Sequence, residues 1–426
     1  MQLSSRGRQM SRLSGIRSIM EDIAAADRDA GDGEWLNLSP GNPSHIPEVV
    51  AAWRRLTQEA LDDRFVESST RYGPSRGTAT LVEAIVDYFN LTYGWSIGPE
   101  NVVVGPGSQM LSFIATSLYT GPDADGVLQP LVLPRLPDYT GYQGLSPDPG
   151  NTVGIEPLIV PEGSHSFHYS LDTEALARQT RMGMMLLSNP ANPTGSSIEA
   201  SELKTLIATA EERDVPLVLD HAYGEPFPQV VRTRLAPVLH SHVINLFTLS
   251  KAGLPGERIA FAIGPADLID PMVSFIANTT LHAPQLLQAV VERSLTTREI
   301  DVISERHIKP YYQAKRAMAE ALLAESLPDD LNWRLHSSDG GMFCWLWIDH
   351  DWFDDLTLYE FLKRKQMFIV PGRHFFVEPL DTPFLGTHGK RCIRLSLSPD
   401  EWAVADGIVR LGEALEELRA SAGTGE

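Results

Sequence analysis

Thr248-Leu-Ser-Lys-Ala-Gly-Leu-Pro-Gly-Glu-Arg258 places a lysine and an arginine around a Gly/Pro-rich turn, directly after an apolar run. Burial disfavours a charged amine, so a lysine behind a buried strand is a poor structural choice. It becomes a useful one where the amine must be neutral and nucleophilic, as in an imine with an aldehyde cofactor. Three other stretches offer groups that such a cofactor would need. Gly105-Pro-Gly-Ser-Gln109 sits between a strand and a helix, where backbone N–H groups and the Ser108 hydroxyl would face an anion. Taken alone it reads more simply as a βα turn. It is not a dinucleotide fingerprint, because Met110 stands where the third glycine belongs, and no Gly-Lys-Ser/Thr follows to make a P-loop. Asn189-Pro-Ala-Asn-Pro-Thr-Gly195 is a rigid loop at a strand end, with the Asn192 amide free to meet a ligand oxygen. Asp220-His-Ala-Tyr223 puts a carboxylate at the end of a buried strand, where it needs a cationic or hydrogen-bonding partner. A protonated pyridine nitrogen would serve; so would a helix cap or a structural ion pair.

The bulk properties are those of an ordinary globular chain of two or three domains: 426 residues, 43% hydrophobic and 21% charged. A formal net charge of −20 argues against a nucleic-acid or anionic-membrane surface. The two cysteines, Cys344 and Cys392, lack metal-ligand spacing, so neither a disulfide framework nor a zinc site is expected, no metal ligands are assigned, and a reducing cytoplasm fits. No run of eighteen or so apolar residues predicts a membrane helix. The N-terminus has arginines among serines without an apolar h-region, which predicts no secretory signal.

The elements that must position these groups follow from periodicity. Residues 14–26 predict a short amphipathic helix, and 47–61 and 79–93 predict two more, separated by the loop Arg71-Tyr-Gly-Pro-Ser-Arg-Gly77. From residue 101 onward short apolar strands are expected at 101–105, 128–134, 153–160, 184–188, 216–220, 243–249 and 259–263, with helices between several of them, such as 199–213. Their Val/Ile/Leu runs without strict alternation predict strands covered on both faces, hence an α/β domain with a mostly parallel sheet. Ligands of such sheets sit beyond the carboxyl ends of the strands, where the loops above begin. A long helical stretch at 284–324 leads to an α+β unit with strands near 342–348, 368–370 and 392–397 and helices at 356–365 and 402–419. The expected division is 1–48, an N-terminal segment joining the small domain and covering the site; 49–300, the large cofactor-binding domain; and 301–426, the small C-terminal domain.

These pieces, in this order, resemble the class I/II aminotransferases of the aspartate-aminotransferase superfamily, which have the fold type I architecture. Within that group the chain is similar to the valine–pyruvate aminotransferases, over nearly its whole length. The matching residues are Gly41-Asn-Pro43, Ile46-Pro-Glu48, Gly107-Ser-Gln109, Ala222-Tyr-Gly224, Pro226-Phe-Pro228, and Ser250-Lys251 with Gly253-Leu-Pro-Gly256 and Arg258. In the second domain Trp345-Leu-Trp347, Val370-Pro-Gly372 and His374-Phe-Phe376 agree as well.

The resemblance implies a pyridoxal 5'-phosphate enzyme in which Lys251 forms the Schiff base and later shuttles a proton as general base and acid. A free lysine has a pKa of about 10.4, which the site would have to lower. Asp220 is implied as partner of the pyridine nitrogen, Tyr223 and Asn192 as donors to the ring 3-hydroxyl oxygen, and Tyr139 as the stacking ring. The phosphate is implied to rest on the Gly107, Ser108 and Gln109 amides, Ser108, Thr248 (serine in many relatives) and Arg258. Tyr72 would reach the phosphate of a neighbouring subunit, implying a homodimer with shared sites. Arg394 follows the pattern of the arginine that clamps the substrate α-carboxylate. Arg391 competes, but strand alternation places it on the other face. Gly41 and Asn42 would line the carboxylate end of the pocket, and Ile16 the substrate side chain.

Other conspicuous residues have plainer readings. Alternation turns His221 away from the ring, so a structural role is expected. His282 is a candidate to approach the site from the partner subunit. Phe343, Trp345 and Trp347 read as core, and 349–355 as a solvated acidic loop. The expected reaction moves an amino group between a small aliphatic amino acid, of valine or alanine type, and a 2-oxo acid such as pyruvate, in a ping-pong cycle. The alternative keeps the cofactor but changes the reaction to that of a cyclase, lyase or decarboxylase, since the outcome depends on which Cα bond is aligned. A cofactor-sensing regulator would need a DNA-binding domain, for which no basic arm is present. No arginine falls in a pattern for a distal carboxylate, which favours apolar substrates.

Overall fold

The computed structural model describes residues 1–11, 19–25, 35–232, 235–377 and 382–423. A seven-stranded sheet runs, edge to edge, Val102–Gly105, Ala260–Ile263, Val243–Thr248, Leu217–Asp220, Met184–Ser188, Leu131–Leu133 and Thr152–Gly154. Ala260–Ile263 is antiparallel to both its neighbours, and the other pairings are parallel. The mixed α/β class expected from the apolar runs is the class observed.

The sheet is sealed on both faces by period-2 alternation. Met185, Leu187, Leu217, Leu219 and Val243 join one core, with Leu203, Leu206 and Ala210 of the helix Ala200–Arg213. Leu186, Val218, Ile244 and Leu246 join the other. Each fully buried Leu or Ile contributes about 1.5–3 kcal/mol, so a one-residue slip in register would cost several such burials at once. Register then fixes the site: Asp220 pairs with Ser188 and Leu246, and Thr248 with Ala260, which pairs with Gly105. The loops that follow Gly105, Ser188, Asp220 and Thr248 therefore leave the sheet along one edge.

Most predicted elements are present with shifted ends. The helix Ala79–Tyr93 ends at Gly94, which takes the left-handed φ of 66° needed there. The helix from Pro47 continues to Ser69, longer than the expected 47–61. Its Trp53 Nε1 donates to Ala252 O across 2.7 Å, tying this helix to the lysine turn. Residues 19–25 are helical, while 14–18 and 26 lie outside the described residues. The expected continuous helix at 284–324 is broken: Gln285–Thr296 ends before Arg298, which has φ 59°, and the chain resumes through a π-helical stretch, Ile303–Ile308, into Lys309–Ser326.

A second, six-stranded sheet is ordered Val370–Pro371, Cys392–Ser396, Phe343–Ile348, Trp333–His336, Ser166–Ser170 and Leu158–Glu162. The single strand expected at 153–160 is thus two: Thr152–Gly154 belongs to the first sheet and Leu158–Glu162 to the second. Pro157 lies between them, and apolar periodicity cannot reveal a change of sheet. The helix Glu401–Gly423 packs on Lys309–Ser326 and closes this half of the molecule. Among the described residues no helix is long and apolar enough to cross a membrane.

Candidate active site

Lys251 sits in the turn after Val243–Thr248, and its Nζ donates to Gly41 O across 2.6 Å. The Tyr223 ring lies beneath the amine, 5.6 Å from it. Burial, and then the Arg394 guanidinium, lower the ammonium pKa to about 8, with Asp220 acting in the opposite sense. A fraction of the amine near neutral pH is therefore unprotonated, as a nucleophile or base requires.

Asp220 ends its strand 5% exposed, and the Tyr142 hydroxyl donates to its Oδ2 across 3.0 Å. Burial pushes this carboxyl up to about 6, against the Tyr142 hydroxyl, the Ala222 amide, Lys251 and Ser108. Its Oδ1 is buried without a well-formed hydrogen bond. A buried carboxylate oxygen left in that state costs free energy unless a donor arrives. Tyr223 is buried, with its ring edge-on to Phe343, and burial raises its hydroxyl pKa far above the ordinary value. The half-buried Tyr139 ring stands perpendicular to that of Tyr142, 5.2 Å away.

Gly107, Ser108 and Arg258 meet at the start of the next helix. Gly107 has φ 92° and caps the helix Ser108–Tyr119. A Cβ there would lie 2.2 Å from Arg258 Nη2, so only glycine allows the guanidinium to lie across the helix N-terminus. Arg258, itself at φ 49°, is exposed and donates from Nη1 to Ser250 Oγ at 3.2 Å and Pro255 O at 3.1 Å. Thr248 Oγ1 donates to Ser250 Oγ at 3.0 Å. The Gln109 side chain is turned away to Gly141 O, at 3.0 Å.

Arg394 is 3% exposed. Its Nη1 donates to Asn192 Oδ1 at 3.1 Å and its Nη2 to Ser39 O at 2.6 Å, while Nε is buried without a partner. The guanidinium stacks 4.1 Å over the Phe343 ring and 5.1 Å from that of Phe375. Burial, opposed by Tyr223 and Tyr139, lowers its pKa to about 10. Among the described residues no carboxylate forms an ion pair with it.

Lys251, Asp220, Tyr223, Asn192, Arg394 and Gly41 are thus brought together, and Gly107, Ser108, Thr248 and Arg258 meet as a second group. Asn42 is exposed nearby, and Ile16 lies outside the described residues. Tyr72 is 87% exposed and its ring meets His282, 6.1 Å away. His282 Nδ1 lies 2.8 Å from Ala283 O. His221 stacks on Phe247 and reaches Asn245 Oδ1 with Nε2 at 2.9 Å, consistent with its structural reading. Arg391 is spent on Asp349 and Asp351. The acidic stretch 349–355 is more than a solvated loop: Asp355 is fully buried and grips Arg373. That correction follows from Arg373, distant in sequence, which supplies the missing counter-charge.

Sequence reading gave no site role to Tyr142, Phe343, Phe375, Ser39, Ser250 or Asp138. Thr140–Tyr142 is a 3₁₀ turn that places positions 139 and 142 on one side, a geometry the structure shows and the sequence pattern did not signal. Asp138 receives hydrogen bonds from Ser188 N at 3.1 Å and Tyr139 N at 2.6 Å and from Ser188 Oγ; Ser188 Oγ in turn accepts from Asn192 N at 3.2 Å.

Lys251, with its amine held partly neutral, the under-bonded Asp220 and the buried Arg394 thus lie in one place, with Gly107 and Arg258 close together at a helix N-terminus. The chain belongs to the class I and II aminotransferase family, whose sequence model it matches over residues 33–405, and it is an aminotransferase. It is 30% identical to valine–pyruvate aminotransferase of Escherichia coli over 417 residues, covering 97% of this chain and 98% of the relative. Among solved structures it superposes with TM-score 0.92 on a putative amino-acid aminotransferase from Psychrobacter arcticum, at 29% identity and 99% coverage of both chains. Valine–pyruvate aminotransferase from Salmonella typhimurium gives TM-score 0.85 at 28% identity, covering 95% of this chain and 100% of the other.

Proposed function

We propose that this aminotransferase uses pyridoxal 5'-phosphate to exchange an amino group between a small aliphatic amino acid, of valine or alanine type, and a 2-oxo acid such as pyruvate. The observation that carries the cofactor is the pairing of a partly neutral Lys251 with Asp220, whose buried Oδ1 lacks a good partner. When bound, pyridoxal phosphate supplies a carbonyl that takes up the amino group and a ring that draws electrons from the substrate Cα. Asp220 would hold the proton on the ring nitrogen, and Tyr223 and Asn192 would donate to the ring hydroxyl oxygen. Ser108, Thr248, Arg258 and the Gly107–Gln109 backbone would hold the phosphate, and Tyr139 would cover the ring face. Arg394 would receive the substrate carboxylate in its planar fork. Lys251, freed to act on the substrate, would take the Cα proton and return it on the other side of the transfer. The stacked Phe343 and Phe375 rings keep water from Arg394, which strengthens its grip on an anion.

The relatives named valine–pyruvate aminotransferase support the substrate reading. We further propose a homodimer with shared sites, in a reducing compartment. Exposed Phe65, Val66, Tyr72 and Leu281 on this chain support an interface, and two buried free cysteines suit such a compartment.

The purified protein should show a visible cofactor absorbance that alanine or valine bleaches and pyruvate restores. Lys251→Ala should abolish that half-reaction while cofactor still binds. An amino acid consumed irreversibly, without recovery by pyruvate, would overturn the transamination reading.

A further inference from the structure

At the opposite end of the strand that leads to Lys251, three side chains converge that the transfer reaction does not use, with Asp214 beside one of them. Glu211 lies in the last turn of the helix Ala200–Arg213, Asp214 caps it with φ 52°, and His240 and His242 precede the strand Val243–Thr248. One ligand atom from each of Glu211, His240 and His242 lies within 4.8 Å of the other two. Glu211 Oε1 is 3.2 Å from His240 Nε2, and Asp214 Oδ1 is 3.2 Å from His242 Nε2.

Tight ionic hydrogen bonds between these groups would span about 2.7–2.9 Å. Two ligand atoms bonded at about 2.0–2.1 Å to one tetrahedral ion stand roughly 3.3 Å apart. At 3.2 Å both pairs fit the second spacing, and they also fit an ordinary hydrogen bond, so the convergence of all three ligand atoms, not either distance, points to an ion. Backbone geometry supplies the convergence. Asp214 N donates back to Glu211 O at 3.2 Å, folding the cap against the helix, and Leu217 N donates to His242 O at 2.8 Å. Ser241 Oγ lies 3.1 Å from His242 Nδ1, a partner that would leave Nε2 as the ligand atom. The histidines are about a quarter exposed, so an ion can enter from solvent.

We propose that His240, His242 and Glu211 bind one divalent transition-metal ion of the zinc class, with solvent free to fill the remaining position. Two imidazoles and a carboxylate favour such ions over magnesium or calcium, which take all-oxygen sets. The ion would clip the end of one helix to the start of a central strand, a stabilising site rather than a second catalytic centre.

The test uses the full-length, cofactor-loaded protein without a histidine tag, stripped with a chelator and titrated with ZnCl2 against a chromogenic competitor. One equivalent should bind, with an upward shift of the melting temperature. His240→Ala and His242→Ala should each weaken binding by about tenfold or more and remove the shift. Glu211→Gln, which keeps the side-chain shape, should also weaken it, while transamination from valine to pyruvate stays unchanged in all three. Absence of zinc uptake by the parent protein overturns the proposal. Uptake that persists unchanged in the double His240→Ala, His242→Ala variant also overturns it.

Discussion

The Tyr142 hydroxyl donates to Asp220 Oδ2 across 3.0 Å, with both side chains buried. This bond stabilises the charged carboxylate against its own burial. A hydrogen bond to a charged group is worth about 1.5–3 kcal/mol, or roughly ten- to a hundredfold. Tyr142→Phe should therefore lower kcat/KM by about tenfold or more and loosen the cofactor, as steady-state rates and cofactor titration would show. Unchanged values would mean that Asp220 needs no such support.

Asp138 is a second buried carboxyl, raised to about 7 chiefly by burial and held down by Ser188 and Tyr139. Its folded pKa lies above the unfolded value, so the folded state binds the extra proton between them. Stability from this group is then present at low pH and lost as pH rises through about 7. Asp138→Asn removes the titration. The melting temperature of the variant relative to the parent should rise between about pH 5 and pH 7.5; a constant difference would place the Asp138 transition elsewhere.

Arg394 combines two hydrogen bonds with stacking on Phe343. Lysine carries the charge but neither the planar fork nor the stack. Arg394→Lys should raise KM for the amino acid by roughly ten- to a hundredfold while cofactor affinity changes little. Equal losses in cofactor and substrate binding would point to a misfolded pocket instead.

Gly107→Ala forces a Cβ into Arg258 at a backbone φ of 92°. Strain of about 1–3 kcal/mol and a displaced guanidinium should follow. The measurable result is weaker cofactor binding, with a lower melting temperature in the loaded protein than in the parent. Near-normal phosphate retention would show that Arg258 is not part of the cradle.

How much of this was readable beforehand depended on whether a residue acts through local pattern or through distant partners. Met184–Ser188 and Ala79–Tyr93 were read to the residue, because a continuous apolar run and a 3.6-residue period each have a glycine or polar stop. Lys251, Asp220, Asn192 and Arg394 were legible as chemistry at strand ends or on a strand, and register brought them together. Phe343 was read only as core because nothing in its neighbourhood announces the guanidinium stacked above it. Asp355 was mistaken for a surface acid because Arg373 lies beyond an intervening helix. Sheet membership failed at 153–160 for a similar reason: the partner of Ser166–Ser170 is Trp333–His336.

That parallel pairing has a consequence for synthesis. The hairpin of Leu158–Glu162 and Ser166–Ser170 emerges from the ribosome about 160 residues before Trp333–His336. At roughly 5–20 residues per second, its open edge waits on the order of ten seconds for a partner. Until then it presents unpaired backbone donors and acceptors to other chains. The nascent chain is therefore exposed to misassembly during this interval, and a chaperone-binding window should close when the 333–336 strand arrives.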